Sequence, residues 1–261
     1  MSNYKKKLKV SLVLTCYNCK DNLVGTLSSI IKQTYTNLEI IIIDGQSTDG
    51  TVDIIRQFAD DYADQYEIVW LSEKDNGIYD AMNKGLKLSS GDVIAFFNDK
   101  FIEDNAIEMM VNAIQGSGYS GAHADLIYAD NNRVKRYWKM GQGKIKYGWM
   151  PGHPTLYLKR EVYEKYGMYK PEYRCSADFE FMVRVLKDNE NKLAYVPKTI
   201  ISMYYGGTST ASVDSYWTSI SESHKALVDN RVKWAWGVLF LRTIRTSWQF
   251  ISAIFYKGNV Y

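Results

Sequence analysis

The feature that most constrains this chain is a regular change of hydrophobic period over its first hundred residues. Short apolar runs at Val10–Thr15, Leu38–Ile43, Glu67–Leu71 and Val93–Phe97 alternate with stretches of helical spacing. Leu23, Leu27, Ile30 and Ile31 form the first such stretch, Val52, Ile55 and Ala59 the second, and Tyr79–Leu88 the third. Strands that are apolar throughout are covered on both faces, so helices between them predict a parallel sheet sandwiched by helices. Sheets of this kind bind substrates beyond the carboxyl ends of their strands. Those ends are Thr15-Cys16-Tyr17-Asn18, Asp44-Gly45, Glu73-Lys74-Asp75-Asn76-Gly77 and Asn98-Asp99-Lys100. All are polar, and the last three each carry an aspartate.

The second half is less regular. Leu126–Tyr128 and Val134–Trp138 read as strands joined by a turn at Asp130-Asn131-Asn132. A glycine-containing loop, Gly141–Gly152, leads through His153-Pro154-Thr155 to another strand, and Ala177–Leu186 reads as a helix. Leu193–Tyr205 is strand-like but interrupted by Pro197. With no repeat and no low-complexity linker, residues 1–210 read as one domain and 211–261 as a helical tail. Wound at about 100° per residue, Val232–Tyr256 places Arg242, Arg245, Thr246, Gln249 and Ser252 on one narrow stripe. Trp234, Leu241, Ile244, Trp248, Ile251 and Phe255 share a broad apolar face with Phe240 beside it. The two arginines argue against spanning a bilayer. A Trp-rich, Arg-flanked helix suits a membrane interface; docking on its own domain or on a twin subunit is the alternative.

Composition narrows the classes. The 261 residues are 46% hydrophobic and 23% charged, enough for a full core and unlike a disordered or disulfide-dense chain. Thirty-two basic against 29 acidic residues leave +3, too balanced for a protein whose main task is coating nucleic acid. The 21 Tyr and 7 Trp suit sugar faces, interfaces or headgroup layers. Three cysteines make no disulfide framework, which favours a reducing compartment. Lys5-Lys6-Lys7 and the short run after it mimic a signal peptide only weakly, and no stretch of about 18 uninterrupted apolar residues is present.

Each candidate group has an ordinary reading beside a functional one. Asp44, at a strand end, can accept from a nucleobase N–H or a ribose hydroxyl, or can cap the following helix. Asn98-Asp99-Lys100 can hold a divalent ion against a diphosphate, or simply turn the chain. Asp178 can serve as general base on a hydroxyl, or sit as an acid in a first helical turn. Cys16-Tyr17-Asn18-Cys19 has redox spacing. Arg133, Lys135, Arg136, Lys139, Lys144 and Lys146, with Tyr137 and Trp138 among them, are either a solvated hairpin face or a mouth for an anionic substrate or headgroups. No nucleophile elbow, phosphate loop or dinucleotide fingerprint occurs, and the three histidines give no zinc signature.

Taken together, these motifs resemble the family 2 glycosyltransferases of the GT-A fold. The likeness is carried by Ser11–Asn18, Gln33-Thr34-Tyr35, Glu39–Thr51, Asp75–Gly85 and Gly91-Asp92-Val93-Ile94. It is looser through His153-Pro154-Thr155 and Ala177-Asp178-Phe179-Glu180, and the tail after about 210 is not covered. The resemblance implies an α/β fold with a mostly parallel central sheet flanked by helices, plus the amphipathic tail. Residues 1–101 would form the nucleotide-sugar half and 102–210 the acceptor half. It implies an inverting transferase moving a sugar from a nucleotide-diphospho-sugar, by family expectation a UDP-sugar, to a hydroxyl of a glycan or lipid-linked acceptor. Surface polysaccharide or glycolipid assembly at the inner face of the cell membrane is the expected setting. Tyr17 and Asp44 would hold the base, with Thr15, Asn18, Asp75, Gly77 and Asp80 lining the nucleotide pocket. Asp178 would be the catalytic base, and His153 falls in the acceptor-side loop. Asp99 would hold Mn²⁺ or Mg²⁺, with Asn98 beside it. The family's motif usually carries a second acid where this chain has Lys100, so either Asp99 holds the ion or Lys100 itself offsets diphosphate charge. A nucleotide-sugar-binding protein without turnover and a dithiol oxidoreductase are the other readings.

Overall fold

The computed structural model describes residues 7–115, 118–130, 133–188, 190–205 and 213–260. Strand β1 (Val10–Cys16) and strand β2 (Leu38–Asp44) run parallel, in register from Val10 opposite Leu38 to Cys16 opposite Asp44. Strand β3 (Glu67–Ser72) pairs outside β2, and β4 (Val93–Phe96) pairs on the other side of β1, both parallel. Helices α1 (Lys20–Ile31), α2 (Thr51–Tyr62) and α3 (Ile78–Leu88) make the connections. All of β2 is buried, as is β1 apart from Thr15. Alternate strand residues enter opposite cores: Leu12, Leu14, Ile40 and Ile42 meet Leu23 and Leu27, whereas Val13, Ile41 and Ile43 meet Ala81 and Met82.

The second half is mixed. Strand β5 (Lys100–Phe101) and helix α4 (Ala106–Ile114) precede a long strand β6 (Gly121–Asp130) and its hairpin partner β7 (Arg133–Trp138). Strand β8 (Tyr157–Lys159), helices α5 (Arg160–Tyr166) and α6 (Ala177–Leu186), and strand β9 (Leu193–Tyr204) follow. The sheet order is β3-β2-β1-β4-β8-β6-β9-β5, with β7 on the edge of β6. Strand β8 is antiparallel to β4 and β6, while β6 and β9 are parallel. Pro197 does not end β9. Ala124 faces Val196 but Asp125 faces Thr199, so the residue without an N–H sits in a slip of register.

The tail is two helices, α7 (Val213–Asp229) and α8 (Ala235–Ala253), separated by a turn in which Arg231 and Trp234 take positive φ. Ala226, Leu227, Val238 and Leu239 share a buried cluster with Phe179 and Val183 of α6. The boundary expected near residue 210 and the Asn131-Asn132 turn lie outside the described residues.

At the amino ends of the strands, Glu39 is a buried carboxylate that ties three segments together. It accepts from Lys9 (2.7 Å), from the backbone N–H groups of Ser90 (2.6 Å) and Gly91 (3.0 Å), and from the Ser11 hydroxyl. Burial alone would raise its pKa, but Lys9 and the hydroxyl and amide donors overcome that and hold it at about 2. A depressed native pKa stabilises the fold fully above the unfolded value near 4.5, and that stabilisation is lost as pH falls toward 2. The difference corresponds to about 3 kcal/mol. Urea unfolding at pH 7 and pH 3 should show about 2 kcal/mol of this loss in the native chain, since a carboxyl with a pKa of about 2 is still mostly ionised at pH 3. Glu39→Gln should be less stable at pH 7 and should show a flatter pH dependence; an unaltered dependence would remove Glu39 from this role.

Candidate active site

The site begins where β1 and β4 part. Their ladder ends with Phe97 N–H donating to the Val13 carbonyl at 2.9 Å. Beyond it the Asn98 side chain replaces the strand: Thr15 N–H donates to its Oδ1 (2.9 Å), and its Nδ2 donates to Thr15 Oγ1 (2.8 Å). Strands β2 and β3 lie to one side of β1, and the rest of the sheet lies to the other. A crevice at the carboxyl ends between β1 and β4 therefore falls at the point where strand order reverses.

On the β2 side the expected nucleotide residues converge. Asp44 is fully buried, accepting from Ser47 N–H (3.0 Å), the Ser47 hydroxyl and Ser72 Oγ (2.7 Å). Three of a carboxylate's roughly four acceptor positions are thus filled, and the helix-capping loop is tied to β3 through it. Asn18, at φ 45°, donates its N–H to Ser47 Oγ (2.8 Å), and its Oδ1 accepts from Thr48 N–H (2.9 Å). Tyr17 is two-thirds exposed. Gly45 lets Tyr17 and Asp75 close in: a Cβ there would lie 2.4 Å from Asp75 Oδ2 and 3.3 Å from the Tyr17 ring. Asp75 Oδ1 accepts from Gly77 N–H (2.9 Å), and Asp80 Oδ2 from Asn76 N–H (3.0 Å), which sets the loop entering α3.

On the β4 side lies a cavity of about 1300 Å³, lined in part by Asn98, Asp99, His153 and Asp178. Asp178 sits in the first turn of α6, where the Tyr79 hydroxyl donates to its Oδ1 at 2.8 Å. Burial and the adjacent carboxylate push the Tyr79 hydroxyl well up, so it stays a donor. His153 Nε2 meets the Tyr169 hydroxyl at 2.8 Å, and its ring packs on Phe96. Burial lowers its pKa against the opposing pull of Asp178, which favours the neutral ring. Asp99 is half-buried, and burial raises its carboxyl to about 7. The Lys100 side chain takes another course: its Cε lies 2.5 Å from where a Cβ of Gly25 would stand, so it runs along α1. It is not among the described residues that line the cavity.

One wall of this cavity is α8, docked with its polar stripe inward. Gln249 is buried and accepts from Arg136 Nε, and Ser252 donates to the Tyr137 carbonyl (2.9 Å). The Arg242 guanidinium lies 4.3 Å from the Phe179 ring centroid and donates to Ser223 Oγ (3.2 Å), while Arg245 Nε donates to the Tyr147 carbonyl (3.1 Å). The apolar side is left largely outward, with Phe240 and Trp248 65% and Phe255 73% exposed; Trp248 and Phe255 also border the cavity. A surface helix ordinarily turns its apolar stripe to the core; here the first turns do so through Ala235, Val238 and Leu239, and beyond them the polar stripe packs. Arg136 and Arg242 were legible as a basic hairpin and a polar stripe, but their meeting at one cavity needed the tertiary arrangement. Cys16 is buried and Cys19 half-buried, both as free thiols; a hydrogen bond from the Cys16 thiol lowers the pKa of Cys19.

Residues 11–175 match the model of glycosyl transferase family 2, and this chain belongs to that family. The "PGL/p-HBAD biosynthesis glycosyltransferase Rv2957" of Mycobacterium tuberculosis is 26% identical over 211 residues, 78% of this chain and 80% of the relative. The Escherichia coli "UDP-Glc:alpha-D-GlcNAc-diphosphoundecaprenol beta-1,3-glucosyltransferase WfaP" is 41% identical over 92 residues, 34% of each chain. Among solved structures, residues 1–349 of Staphylococcus aureus TarS in complex with UDP-GlcNAc superimpose with a TM-score of 0.70 at 16% identity, covering 91% of this chain and 72% of that one. The chain is thus a glycosyltransferase with the GT-A fold, as the sequence resemblance implied. That membership decides against a dithiol oxidoreductase as its activity.

Gly148, at φ 70°, marks a close approach of α8, since a Cβ there would meet the Arg242 backbone nitrogen at 2.5 Å. Gly148→Ala should lower Tm by at least about 3 °C, from left-handed strain alone, and should speed proteolysis within α8. An unchanged cleavage pattern would show that α8 does not depend on this contact.

Proposed function

We propose that this enzyme transfers a sugar, with inversion, from a UDP-sugar to a hydroxyl of a lipid-linked glycan acceptor, working at the inner membrane surface in polysaccharide or glycolipid assembly. The observation that carries the reading is Asp178, held by Tyr79 in the same cavity as Asp99 at the carboxyl edge of the sheet. Inversion needs a base on the acceptor side and the leaving diphosphate on the other. Asp178 Oδ1 is fixed by Tyr79, and Oδ2 is assigned to take the acceptor proton. The freed oxygen bonds to the anomeric carbon as the bond from that carbon to the diphosphate oxygen breaks. Tyr17, Asp44 and Asp75 hold the base, with Thr15, Asn18, Gly77, Asp80 and Asn98 shaping the pocket, and His153 borders the acceptor. Residues up to 101 act as the donor half, 102–210 as the acceptor half, and 211–261 as the surface-binding tail. The UDP assignment is supported by the names of WfaP and of the TarS complex.

Asp99 is the residue that would hold a divalent cation. Its carboxyl is pushed to about 7 by burial, the condition a bound cation would relieve. Among the described residues no three His, Cys, Asp or Glu side chains cluster, so such an ion would draw its other oxygens from the diphosphate and water, as Mg²⁺ commonly does. Bound there, it would offset negative charge on the leaving diphosphate. Asp178→Asn should cut kcat by roughly 10² to 10⁴-fold while leaving UDP binding, read by thermal shift with Mn²⁺, unaltered. Full activity in that variant would overturn the assignment, and a native protein that binds UDP-sugar but releases no UDP with any acceptor would be a binding protein instead.

The outward apolar face of α8 supports the membrane part. No described helix is long and apolar enough to cross a bilayer, and a helix with aromatic residues on one side lies in the interface plane. Replacing Phe240 and Trp248 together by Ser should lower flotation with anionic phosphatidylglycerol vesicles by tenfold or more, since each large apolar side chain contributes about 1.5–3 kcal/mol when buried. Unchanged flotation would sink this reading, and a dimer lost on the same substitution would assign the face to a second copy.

A further inference from the structure

Arg136 and Arg242 present an unusual electrostatic arrangement. They come from β7 and α8 and line the same cavity, where Arg242 lies in the field of both the Asp178 carboxylate and Arg136. Neither forms an ion pair with a carboxylate among the described residues. Their packing is aromatic and their hydrogen bonds are to neutral groups. Arg136 is stacked near Tyr128 (4.6 Å) and Trp138 (5.1 Å) and is held by Gln249; Arg242 lies over Phe179 and is held by Ser223. Burial weakens the hold of both guanidinium groups on their protons. Charges withdrawn from water are ordinarily paired, and here two half-buried ones of like sign share a cavity with no salt bridge to either, only the more distant Asp178 carboxylate acting on Arg242. Five basic side chains, Arg136, Lys139, Arg174, Arg242 and Arg245, line this cavity against two carboxylates, Asp99 and Asp178.

Guanidinium forks match phosphate oxygens in pairs. The acceptor wall is the one carrying these two arginines, and the outer side of the same helix is apolar. We infer that Arg136 and Arg242 bind the phosphate or diphosphate of the acceptor, so that the enzyme takes a glycan joined to its lipid through phosphate rather than a neutral glycolipid. The inference rests on the proposed reading that the β1–β4 crevice holds the donor. Aromatic stacking and the Gln249 and Ser223 contacts keep the two groups in place before the ligand arrives, which lowers the ordering cost of binding.

The same chemistry could serve the donor's diphosphate, so the test separates the two sources. Geranyl diphosphate and geraniol would be titrated by calorimetry into the full chain already saturated with UDP, with Mn²⁺ in excess of both phosphates. Saturation with UDP itself checks the donor reading; its failure would strike that reading and leave the arginines to be tested by geranyl diphosphate alone. The expected result is binding of geranyl diphosphate at least tenfold tighter than geraniol. Arg136→Gln and Arg242→Gln should each reduce that preference by tenfold or more with UDP affinity unchanged, and Arg242→Lys should restore part of it. Thermal midpoints of each variant identify any that fail to fold, and for those the native preference between the two ligands still decides. Equal binding of geraniol and geranyl diphosphate would overturn the inference. Loss of UDP affinity in the Gln variants, with the geranyl preference intact, would assign the arginines to the donor and overturn it equally.

Discussion

The structure turns on the separation of β1 from β4 beyond Val13. Two parallel strands that stayed paired to their ends would leave a closed sheet edge with no room for a ligand. Here Asn98 takes over the hydrogen bonds of Thr15 through its side chain, so the backbones can diverge while no polar group is stranded. The groups assigned to the nucleobase approach this opening from the β2 and β3 side, and those assigned to the acceptor from β8, α6 and α8.

Buried carboxylates secure the two ends of β2 in different ways. Glu39, at the amino end, is charge-balanced by Lys9 and tied to the 90–91 turn. Asp44, at the carboxyl end, is held by hydroxyls and a backbone N–H. The first is a fastener with its counter-ion in place. The second keeps the loop ahead of α2 against β3, so that Tyr17 and Asp75 can meet over Gly45. Asp44 does not cap α2, whose N-cap is Gly50; of the two readings open in the sequence, the helix-capping one is replaced by this bracing of the loop.

The parallel half was legible because its strands are buried on both faces, and period alone then separates them from the helices. Val10–Cys16 and Leu38–Asp44 match the expected runs to within a residue. Helix α4 keeps helical spacing in Ala106, Ile107, Met110, Val111 and Ile114, and was there to be read; short β5 and α5 carry too little pattern. The course of Lys100 was not legible, since a two-residue strand sends its side chain to α1 according to a pairing with β9 far along the chain. The amphipathic period of α8 was evident, but not which side packs. Spacing shows only that two faces of a helix differ in polarity, and the partners supplied by Arg136, Phe179 and Tyr137 decide which one turns inward.

Because α8 is fastened through its polar residues, two sets of positions on it are free to vary independently. Substitutions among Arg242, Arg245 and Gln249 alter the wall of the cavity without touching the parallel strands β1 to β4. Substitutions at Phe240, exposed and not lining the cavity, alter the outer surface alone. Natural variation in this terminal helix can therefore retune one side of the enzyme at a time, while the crevice between β1 and β4 is inherited intact.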